Sequence, residues 1–586
     1  MDGLLSGLAS FWATYESVAQ FVGLNAILGL SIYVTLAAGQ LSLGQAAFMG
    51  VGAYTAALLT MQLGWPFAAV LAAGVVAAGL TAFVLGVVVL RLRGVYLAIA
   101  TLGFGAVFGV VLFNLPISGG AEGLRPIPSI TTTWQIYLAL AALAFGLWRM
   151  DGSTFGRSLF ALRDDEAAAA SLGIDPFRTN LVAFVASGMI AGLAGGLSAH
   201  LTYIITPGQF GFGPALDILV YAIVGGTTTF LGPILGAALL TILPEVMRQV
   251  PVDPGASELF VSGLILLLII LFLPSGLASL VVGRRRRSDA RSPQSPTAAP
   301  PPSPSPSLEP SPSSRPQPRP TGGSPSPTPP APEPLLAIEG LGRRFGGLRA
   351  LEGLDLTVGP GQVVGLIGPN GAGKTTLVNA VTGLLPPSAG RVVFAGHDIT
   401  AWPAHRVARL GLVRTYQNVR LFRHLTVLEN VLVGAALGRP GTLGPRLVGR
   451  SRAQEAAARN EALGLLERVG IAHLADRPAG GLSYGDRRRL EICRALAARP
   501  RLLVLDEPAA GMTAPEAARV GTLVRELATE GLGVLLIEHN VGLVMATCDR
   551  VVVIDFGSRI AEGVPAVVAR DPRVIDAYLG DAVASA

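Results

Sequence analysis

The sequence predicts a polytopic α-helical membrane domain followed by an α/β P-loop ATPase domain, and three observations support this fold class. First, 51% of the 586 residues are hydrophobic and 14% are charged, whereas soluble domains carry about 25% charged residues. Second, long apolar stretches are confined to residues 1–283. Third, a Gly-rich loop at residues 368–376 follows a strand-like run and precedes a helical pattern. A chain of 586 residues is too long to fold around a single hydrophobic core, so two or more domains are expected.

Residues 1–283 are predicted to form a transmembrane domain of about eight or nine helices, each close to the ~20 residues that cross a bilayer. The tail before the first span carries Asp2 and Glu16 and no basic residue, so it is expected outside. The arginines fall on one side if the passes alternate, and the positive-inside tendency makes that side cytoplasmic. The predicted spans are residues 18–38, 43–62, 67–90, 94–115, 134–150, 178–202, 215–247 (as two passes) and 258–281, and the flanking bases are Arg91, Arg93, Arg149, Arg157, Arg163 and Arg284 to Arg287.

Polar residues are few in these predicted spans. They contain no series of buried ionisable residues, so a proton or sodium relay has no obvious carriers. Asp217 and His200 lie near span ends and are expected to be solvated. Gly188, Gly192 and Gly196 share one helix face and predict the close approach of a neighbouring helix, a packing role.

The charged loop at residues 156–173 contains Arg163-Asp164-Asp165-Glu166 and is long enough for a short cytoplasmic helix. It is either a solvated connection or a coupling segment that docks on an ATPase. The second interpretation is favoured because an ATPase-like region is attached.

A linker is predicted at residues 284–334, where an arginine cluster is followed by a Pro/Ser run. This composition cannot bury a core and stays extended and solvated. At ~3.1 Å per residue, roughly 45 residues reach on the order of 100 Å. Whether the ATPase docks beneath its own membrane half or a neighbour's is therefore open.

The only lysine in the chain is Lys374, in a Gly368–Thr376 stretch that fits G-x-x-x-x-G-K-[ST]. The backbone N–H groups of such a loop face phosphates, and a compact ammonium reaches the β/γ oxygens where a planar guanidinium does not substitute. Residues 335–586 are therefore predicted to bind a nucleotide.

Two further motifs follow in the order expected of an ATPase. An apolar strand ends at Asp506, which places a carboxylate beside a Mg²⁺ held by Thr375. Glu507 can orient and deprotonate the attacking water. His539 ends another apolar strand and is predicted to reach the γ-phosphate.

This order of motifs resembles that of the ATP-binding-cassette (ABC) family over residues 335–586. The resemblance implies that Phe345 stacks on adenine, that Gln417 contacts Mg²⁺ and the permease, and that the signature loop at Ser483 closes on a second cassette's nucleotide. ATP and Mg²⁺ are the implied ligands. The predicted nucleotide contacts are Phe345, Gly368, Asn370, Gly371, Gly373, Lys374, Thr375, Thr376, Gln417, Ser483 and Gly485; the predicted metal contacts are Thr375, Gln417 and Asp506; the predicted catalytic residues are Glu507, His539 and Lys374.

Finer details resemble importers of branched-chain amino acids. Leu482-Ser483-Tyr484-Gly485 and the tail at residues 571–580 are similar to their ATPase subunits, and residues 39–54, 92–102 and 163–166 to a permease subunit. The chain is thus predicted to be a permease domain (1–283) fused through the linker to an ABC domain (335–586). The resemblance implies ATP-driven import of leucine, isoleucine and valine across the bacterial inner membrane. It also implies a second permease subunit, a second ABC ATPase subunit and an external substrate-binding protein, and no nucleic acid.

Two residues depart from the family pattern. Asp486 stands where the signature usually has Gln, and Thr513 stands where the loop after Asp506 often has Asp. The first places a negative side chain near the partner's nucleotide and is expected to weaken closure, and the second is milder. Since neither removes a group that does chemistry, an active ATPase is expected.

Three alternatives remain open from the sequence. An ABC exporter also joins a membrane half to a cassette, but its spans usually continue as long charged helices that are not seen here. An importer of urea or short amides differs only in cargo. A regulatory cassette with a membrane anchor would not need eight spans or the intact set of Lys374, Asp506, Glu507 and His539.

Overall fold

The computed structural model of the protein describes residues 2–248, 263–264, 267–269, 271–273, 276–280, 333–436 and 452–584. Met1–Ser279 and Pro334–Ala586 together form one compact unit, so the helical half and the α/β half are in contact.

The first half is built from helices, and an isolated β-bridge joins Leu124 to Ile205. Helices α1 to α4 are long and apolar, α6 and α7 are short, and α8 is the longest after α1. The helices are α1 (Asp2–Ala37), α2 (Gln45–Leu63), α3 (Phe67–Val89), α4 (Val95–Asn114), α5 (Thr133–Asp151), α6 (Thr154–Asp164), α7 (Glu166–Ser171), α8 (Pro176–Thr202), α9 (Phe212–Gly225) and α10 (Leu231–Arg248).

Five of the described helices are long and apolar enough to cross a membrane: Thr14–Ala37 of α1, α2, α3, α4 and α8. The stretch at 215–247, expected to make two passes, forms the two shorter helices α9 and α10. The span expected at 258–281 lies largely outside the described residues, so the total number of spans stays a prediction. Large apolar side chains such as Val84, Val88 and Val107 are exposed on α3 and α4, as expected of a surface that meets lipid.

Glycines allow α2, α3 and α8 to pack closely. A Cβ at Gly192 would lie 2.4 Å from the Cβ of Ala78, and one at Gly188 would lie 2.5 Å from the Cβ of Ala82. The predicted packing role of this glycine face is confirmed. The solvated position expected for His200 is wrong, because the side chain is fully buried and its ring nitrogens contact Gly196 O at 2.9 Å and Thr60 Oγ1 at 2.8 Å.

The second half contains two sheets. The four-stranded sheet is antiparallel, in the order β2-β1-β4-β5, and the six-stranded sheet has the order β10-β9-β3-β8-β7-β6. All neighbours in the larger sheet are parallel except β9 and β10. The strands are β1 (Leu336–Phe345), β2 (Leu348–Val358), β3 (Val363–Ile367), β4 (Ala389–Phe394), β5 (His397–Asp398), β6 (Leu412–Arg414), β7 (Leu502–Asp506), β8 (Gly533–Ile537), β9 (Arg550–Asp555) and β10 (Ser558–Gly563).

Helices surround the larger sheet. Strands β3, β7 and β8 are buried along their whole length and read as continuous apolar runs, which is typical of parallel strands covered on both faces. Since the carboxyl ends of parallel strands share one edge, the residues that follow these strands meet there. The helices are α11 (Lys374–Val381), α12 (Ala404–Arg409), α13 (Val427–Ala435), α14 (Arg452–Arg468), α15 (Tyr484–Ala497), α16 (Ala514–Thr529), α17 (Val541–Thr547), α18 (Pro565–Val568) and α19 (Pro572–Ala584).

Candidate nucleotide site and its contact with the membrane half

The predicted phosphate loop connects β3 to α11. A Cβ at Gly368 would lie 2.1 Å from Ile554 O, and one at Gly373, whose φ is +101°, would lie 2.6 Å from Ala350 O. Only glycine fits either position without moving backbone. Lys374 is 8% exposed, and its Nζ donates to Gly368 O at 2.6 Å and to Pro369 O at 2.8 Å. The loop therefore folds around its own ammonium group, an arrangement suited to an anion.

Asp506 lies at the end of β7 and is 2% exposed. Its Oδ2 accepts from Arg414 Nη2 at 3.1 Å. Burial raises the pKa of Asp506, and the charges of Arg414 and Lys374 partly oppose this rise. Arg414 was missed by the sequence analysis, since an arginine at the end of a short strand carries no distinctive pattern.

Glu507, Gln417 and His539 are brought together. Glu507 Oε1 accepts from Gln417 Nε2 at 2.9 Å and lies 3.0 Å from His539 Nε2. Glu507 also has a φ of +49°, a region that non-glycine residues occupy at a cost of about 1–3 kcal/mol and mostly at functional sites. The three residues come from different elements, and the six-stranded sheet brings their carboxyl-end loops to one edge.

Glu538 is a buried carboxylate to which the sequence analysis gave no role. Its Oε1 accepts from Ala509 N at 2.8 Å and its Oε2 from His539 N at 3.2 Å. Burial raises its pKa, while these backbone N–H donors lower it. Glu538 thus fixes the segment after β7 to the segment after β8, the two segments that carry Glu507 and His539. Its position at the end of an apolar strand was the available signal.

The two departures from the family pattern belong to one network. Ser483 Oγ donates to Asp486 Oδ2 at 2.7 Å, and Arg489 contacts both Asp486 Oδ1 and Glu516 Oε1 at 3.3 Å. Thr513 Oγ1 donates to Glu516 Oε2 at 2.8 Å. The negative charge of Asp486 is therefore paired with Arg489, and the Ser483 hydroxyl is directed to Asp486.

Phe345 lies at the end of β1 and is 45% exposed. The Arg343 guanidinium covers its ring at 4.9 Å from the ring centroid. The contacts described for Phe345 and for the signature residues Ser483 and Gly485 are therefore separate from those of Lys374, Asp506 and Glu507.

The segment formed by α6, α7 and the following turn, residues 154–175, docks on the cassette. We call it the coupling segment. Ser171 Oγ and Tyr416 Oη are 2.6 Å apart, and Tyr416 Oη also donates to Ala167 O at 2.9 Å. Arg409 Nε donates to Gly173 O at 2.9 Å. The short helix expected in this loop is thus two helices.

Two acidic residues complete this contact. Arg420 Nη1 donates to both oxygens of Asp165, at 3.1 and 3.3 Å. His424 N donates to Asp164 Oδ2 at 3.0 Å, and the His424 ring also contacts Asp164. Apolar side chains of the coupling segment share a buried cluster with Phe422 and Leu425 of the cassette. The docking interpretation of this loop is therefore confirmed, and the cassette lies on its own membrane half.

A short route joins this contact to Glu507. Tyr416 precedes Gln417, and Gln417 donates to Glu507. Arg488 is fully buried and donates to the backbone oxygens of both Tyr416 and Gln417, the latter at 2.6 Å. Since one buried arginine holds both residues, their positions are linked.

Family models match both halves of the chain. A model described as "Branched-chain amino acid transport system / permease component" matches residues 14–270, and one described as "ABC transporter" matches residues 351–510. A third, "Branched-chain amino acid ATP-binding cassette transporter", matches residues 558–584.

Individual proteins resemble the second half. The high-affinity branched-chain amino acid transport ATP-binding protein BraF of Pseudomonas aeruginosa is 45% identical over 42% of this chain and 99% of its own length. LivG of Escherichia coli, described in the same words, is 43% identical over 43% of this chain and 99% of its own length. A nucleotide-free ATP-binding cassette from an ABC transporter is similar at 36% identity, over 42% of this chain and 98% of that chain, with a TM-score of 0.38.

The permease match and the apolar helices make the protein a multi-pass membrane protein with a cytoplasmic ATPase domain. The ABC domain binds ATP and couples its hydrolysis to transport. Given these matches in both halves, the chain belongs to the branched-chain amino acid ABC transporter family and carries the family's permease and ATP-binding parts in one polypeptide.

Proposed function

We propose that the chain is one permease–ATPase half of an importer of leucine, isoleucine and valine in the bacterial inner membrane, and that the coupling segment carries closure of its own cassette to the membrane helices. The observation that carries this proposal is the position of Tyr416. Its hydroxyl contacts Ser171 and Ala167 of the coupling segment, and the next residue donates to Glu507.

The nucleotide is held by the loop at Gly368–Thr376. Lys374 and the backbone of Gly371 and Gly373 receive the phosphates, with Asn370 and Thr376 completing the loop. Phe345 supplies an exposed ring, which Arg343 already covers from one face, for the base. Ser483 and Gly485 face the nucleotide of the second cassette.

Thr375 and Asp506, with Gln417, fit a Mg²⁺ ion. A hydroxyl, a carboxylate and an amide oxygen are the hard ligands that this ion takes, and Asp506 lies close enough to Lys374 for the lysine charge to lower its pKa. Bound there, the ion would neutralise charge on the phosphate oxygens.

Hydrolysis is assigned to Glu507 and His539. Glu507 accepts a proton from the attacking water, whose oxygen bonds to the γ-phosphorus as the bond to the ADP oxygen breaks. His539 Nε2, 3.0 Å from Glu507 Oε1, orients this carboxylate and faces the γ-phosphate. Glu507 directly follows β7 at the sheet edge, and its backbone there has a positive φ.

Closure of the cassette is transmitted to the membrane half through Gln417 and Tyr416. A shift of Gln417 moves Tyr416 through their shared partner Arg488, and Tyr416 moves the coupling segment. Arg163 extends the route into the membrane half, because its Nη1 donates to Thr227 O at 3.2 Å, between α9 and α10. The transporter has two states that differ in the contact between the coupling segment and the cassette. The bound nucleotide favours one of these states over the other.

The complete assembly is a transporter with further subunits and a substrate-binding protein. We assign to it a second permease subunit, a second ABC ATPase subunit and an external binding protein that delivers the cargo.

Uptake by proteoliposomes tests this function. The chain and its partner subunits are reconstituted with ATP enclosed on the cassette side, and labelled leucine or urea is added outside with the binding protein. ATP-dependent accumulation of leucine, isoleucine and valine is expected. Accumulation of urea alone would change the cargo, and ATP-driven release of leucine would replace import by export.

A further inference from the structure

A cavity of about 410 Å³ lies at the cytoplasmic ends of the membrane helices, and we call it the cytoplasmic-face cavity. Its wall combines the turn after α1, the turn between α3 and α4, the first turn of α4, the start of α8, the coupling segment and one cassette residue, His405. Its volume falls within the range of roughly 300–1,000 Å³ that small-molecule pockets occupy. It is distinct from the nucleotide site.

Gln40 lines this cavity with an unpartnered side chain. The residue is only 5% exposed, yet neither its amide nitrogen nor its amide oxygen has a hydrogen-bond partner among the described residues. Asn180 lines the same cavity, and its Oδ1 also has no partner in the described part of the chain. Buried polar atoms without partners are costly, so these amides indicate a ligand that both donates and accepts hydrogen bonds.

The charged residues of the cavity wall restrict which chemical class of ligand fits. Arg91, Arg93, Arg163, Glu166 and Asp175 line the cavity. Arg93 pairs with Glu166, and Arg163 donates to Thr227. Arg91 is therefore the arginine left for an anionic group, and Asp175, whose carboxylate also meets His405 and Arg178, is the carboxylate left for a cationic one. Leu97, Leu162 and Phe177 supply an apolar part. A zwitterion with an aliphatic side chain matches all three features. Its two sources are a free amino acid and the headgroup region of an amine-containing phospholipid.

We propose that the cytoplasmic-face cavity binds a free aliphatic amino acid from the cytoplasm and that this occupancy slows the transporter. Arg91 would take the carboxylate, while Gln40, Asn180 and Asp175 take the ammonium. The identity of the ligand as imported product rests on the proposed function.

The position of the cavity explains the expected inhibition. Asp175 Oδ2 lies 3.5 Å from His405 Nε2 of the cassette, and Arg93 Nη2 lies 2.8 Å from Glu166 Oε1 of the coupling segment. A ligand held among these groups joins the membrane helices, the coupling segment and the cassette. It therefore resists the relative movement that transport requires.

The test uses the full chain with its partner subunits in nanodiscs of phosphatidylglycerol, without the binding protein. Labelled leucine binding and its effect on ATP hydrolysis are measured for the wild type, Gln40→Leu and Arg91→Ala. The matched control is Gln20→Leu, since Gln20 donates to Thr133 Oγ1 at 3.0 Å and lies outside the cavity lining. Leucine should bind and lower hydrolysis, and loss of the Arg91 contact should weaken binding roughly tenfold to hundredfold.

Thermal unfolding separates a binding role from a packing role. Gln40→Leu removes two unpartnered buried atoms, so its Tm should equal or exceed that of the wild type while leucine binding is lost. Unchanged leucine binding in both cavity variants would overturn the proposal, as would binding of glycerophosphoethanolamine with no binding of leucine. Uptake of external leucine by the same complex in proteoliposomes with the binding protein tests import separately. Uptake there, together with no inhibition of hydrolysis by leucine in the nanodiscs, refutes this inference alone.

Discussion

Removal of one oxygen atom, by Tyr416→Phe, tests the route from the nucleotide site to the membrane half. The substitution keeps the ring that packs between Arg414 and Arg420, whose guanidinium carbons lie 4.5 and 4.8 Å from its centroid. It removes the contacts to Ser171 Oγ and Ala167 O and leaves a buried Ser171 without that partner. The perturbation is therefore confined to the contact with the coupling segment.

The expected loss of docking free energy in Tyr416→Phe follows from the two hydrogen bonds that are removed. At about 0.5–1.5 kcal/mol each, their loss weakens docking by about 1–3 kcal/mol. Since about 1.4 kcal/mol is a factor of ten, the ratio of docked to undocked coupling segment should fall roughly 5- to 150-fold. Glu507, Gln417 and Lys374 are untouched, so hydrolysis without cargo should remain within about twofold of the wild type.

The measurement is the number of leucine molecules taken up per ATP hydrolysed in proteoliposomes. Tyr416→Phe should lower this ratio while hydrolysis continues, and Tyr203→Phe, at an exposed tyrosine far from the cassette in sequence, should leave it unchanged. A wild-type ratio in Tyr416→Phe would refute the transmission route. A parallel loss of hydrolysis and uptake would place Tyr416 in the nucleotide site instead.

Glu507→Gln should bind ATP and trap it without turnover, and rapid steady hydrolysis would remove Glu507 from the role of base. Arg414→Met should lower the free energy of unfolding of the cassette by roughly 3–5 kcal/mol, because it leaves buried Asp506 without its ion-pair partner, and a urea titration showing no change would contradict this. Asp486→Gln should raise ATP turnover, because it removes the negative charge next to the Ser483 hydroxyl in the signature loop, and lower turnover would show that the network with Arg489 is needed. Cys493 and Cys548 should resist maleimide at pH 8 until the protein is unfolded, since burial raises both thiol pKa values to about 12, and mass spectrometry of the labelled native protein checks this.

Much of the fold was predictable because its signals are local. Apolar length identified the membrane helices, and a Gly-rich loop between a buried strand and a helix identified the nucleotide site. The residues that follow the apolar strands β7 and β8 were predicted to act on one nucleotide, and the structure has these strands parallel, ending at one edge of the sheet. The contact of Glu507 with both Gln417 and His539 agrees with that expectation.

Long-range pairs were not predictable in the same way. Arg420 and Asp165 are separated by 255 residues, and an exposed arginine and an aspartate have no pattern that pairs them. The burial of His200 depends on Thr60 in another helix, so proximity to a span end misled the sequence analysis. Arg488 reads as one of three consecutive arginines, and only the structure distinguishes it as fully buried.

Cross-linking of the coupling segment to the cassette tests the central claim most directly. Asp164→Cys and His424→Cys are introduced together, a protease site is placed within residues 284–334, and a short thiol-reactive linker is added. The buried Cys493 and Cys548 can stay in place. In denaturing detergent, the uncleaved product should have the mass of one chain, and after cleavage the two halves should remain joined only when the linker has reacted, because the cassette docks on its own membrane half. Halves that separate, or a product joining two copies of the chain, would contradict the account.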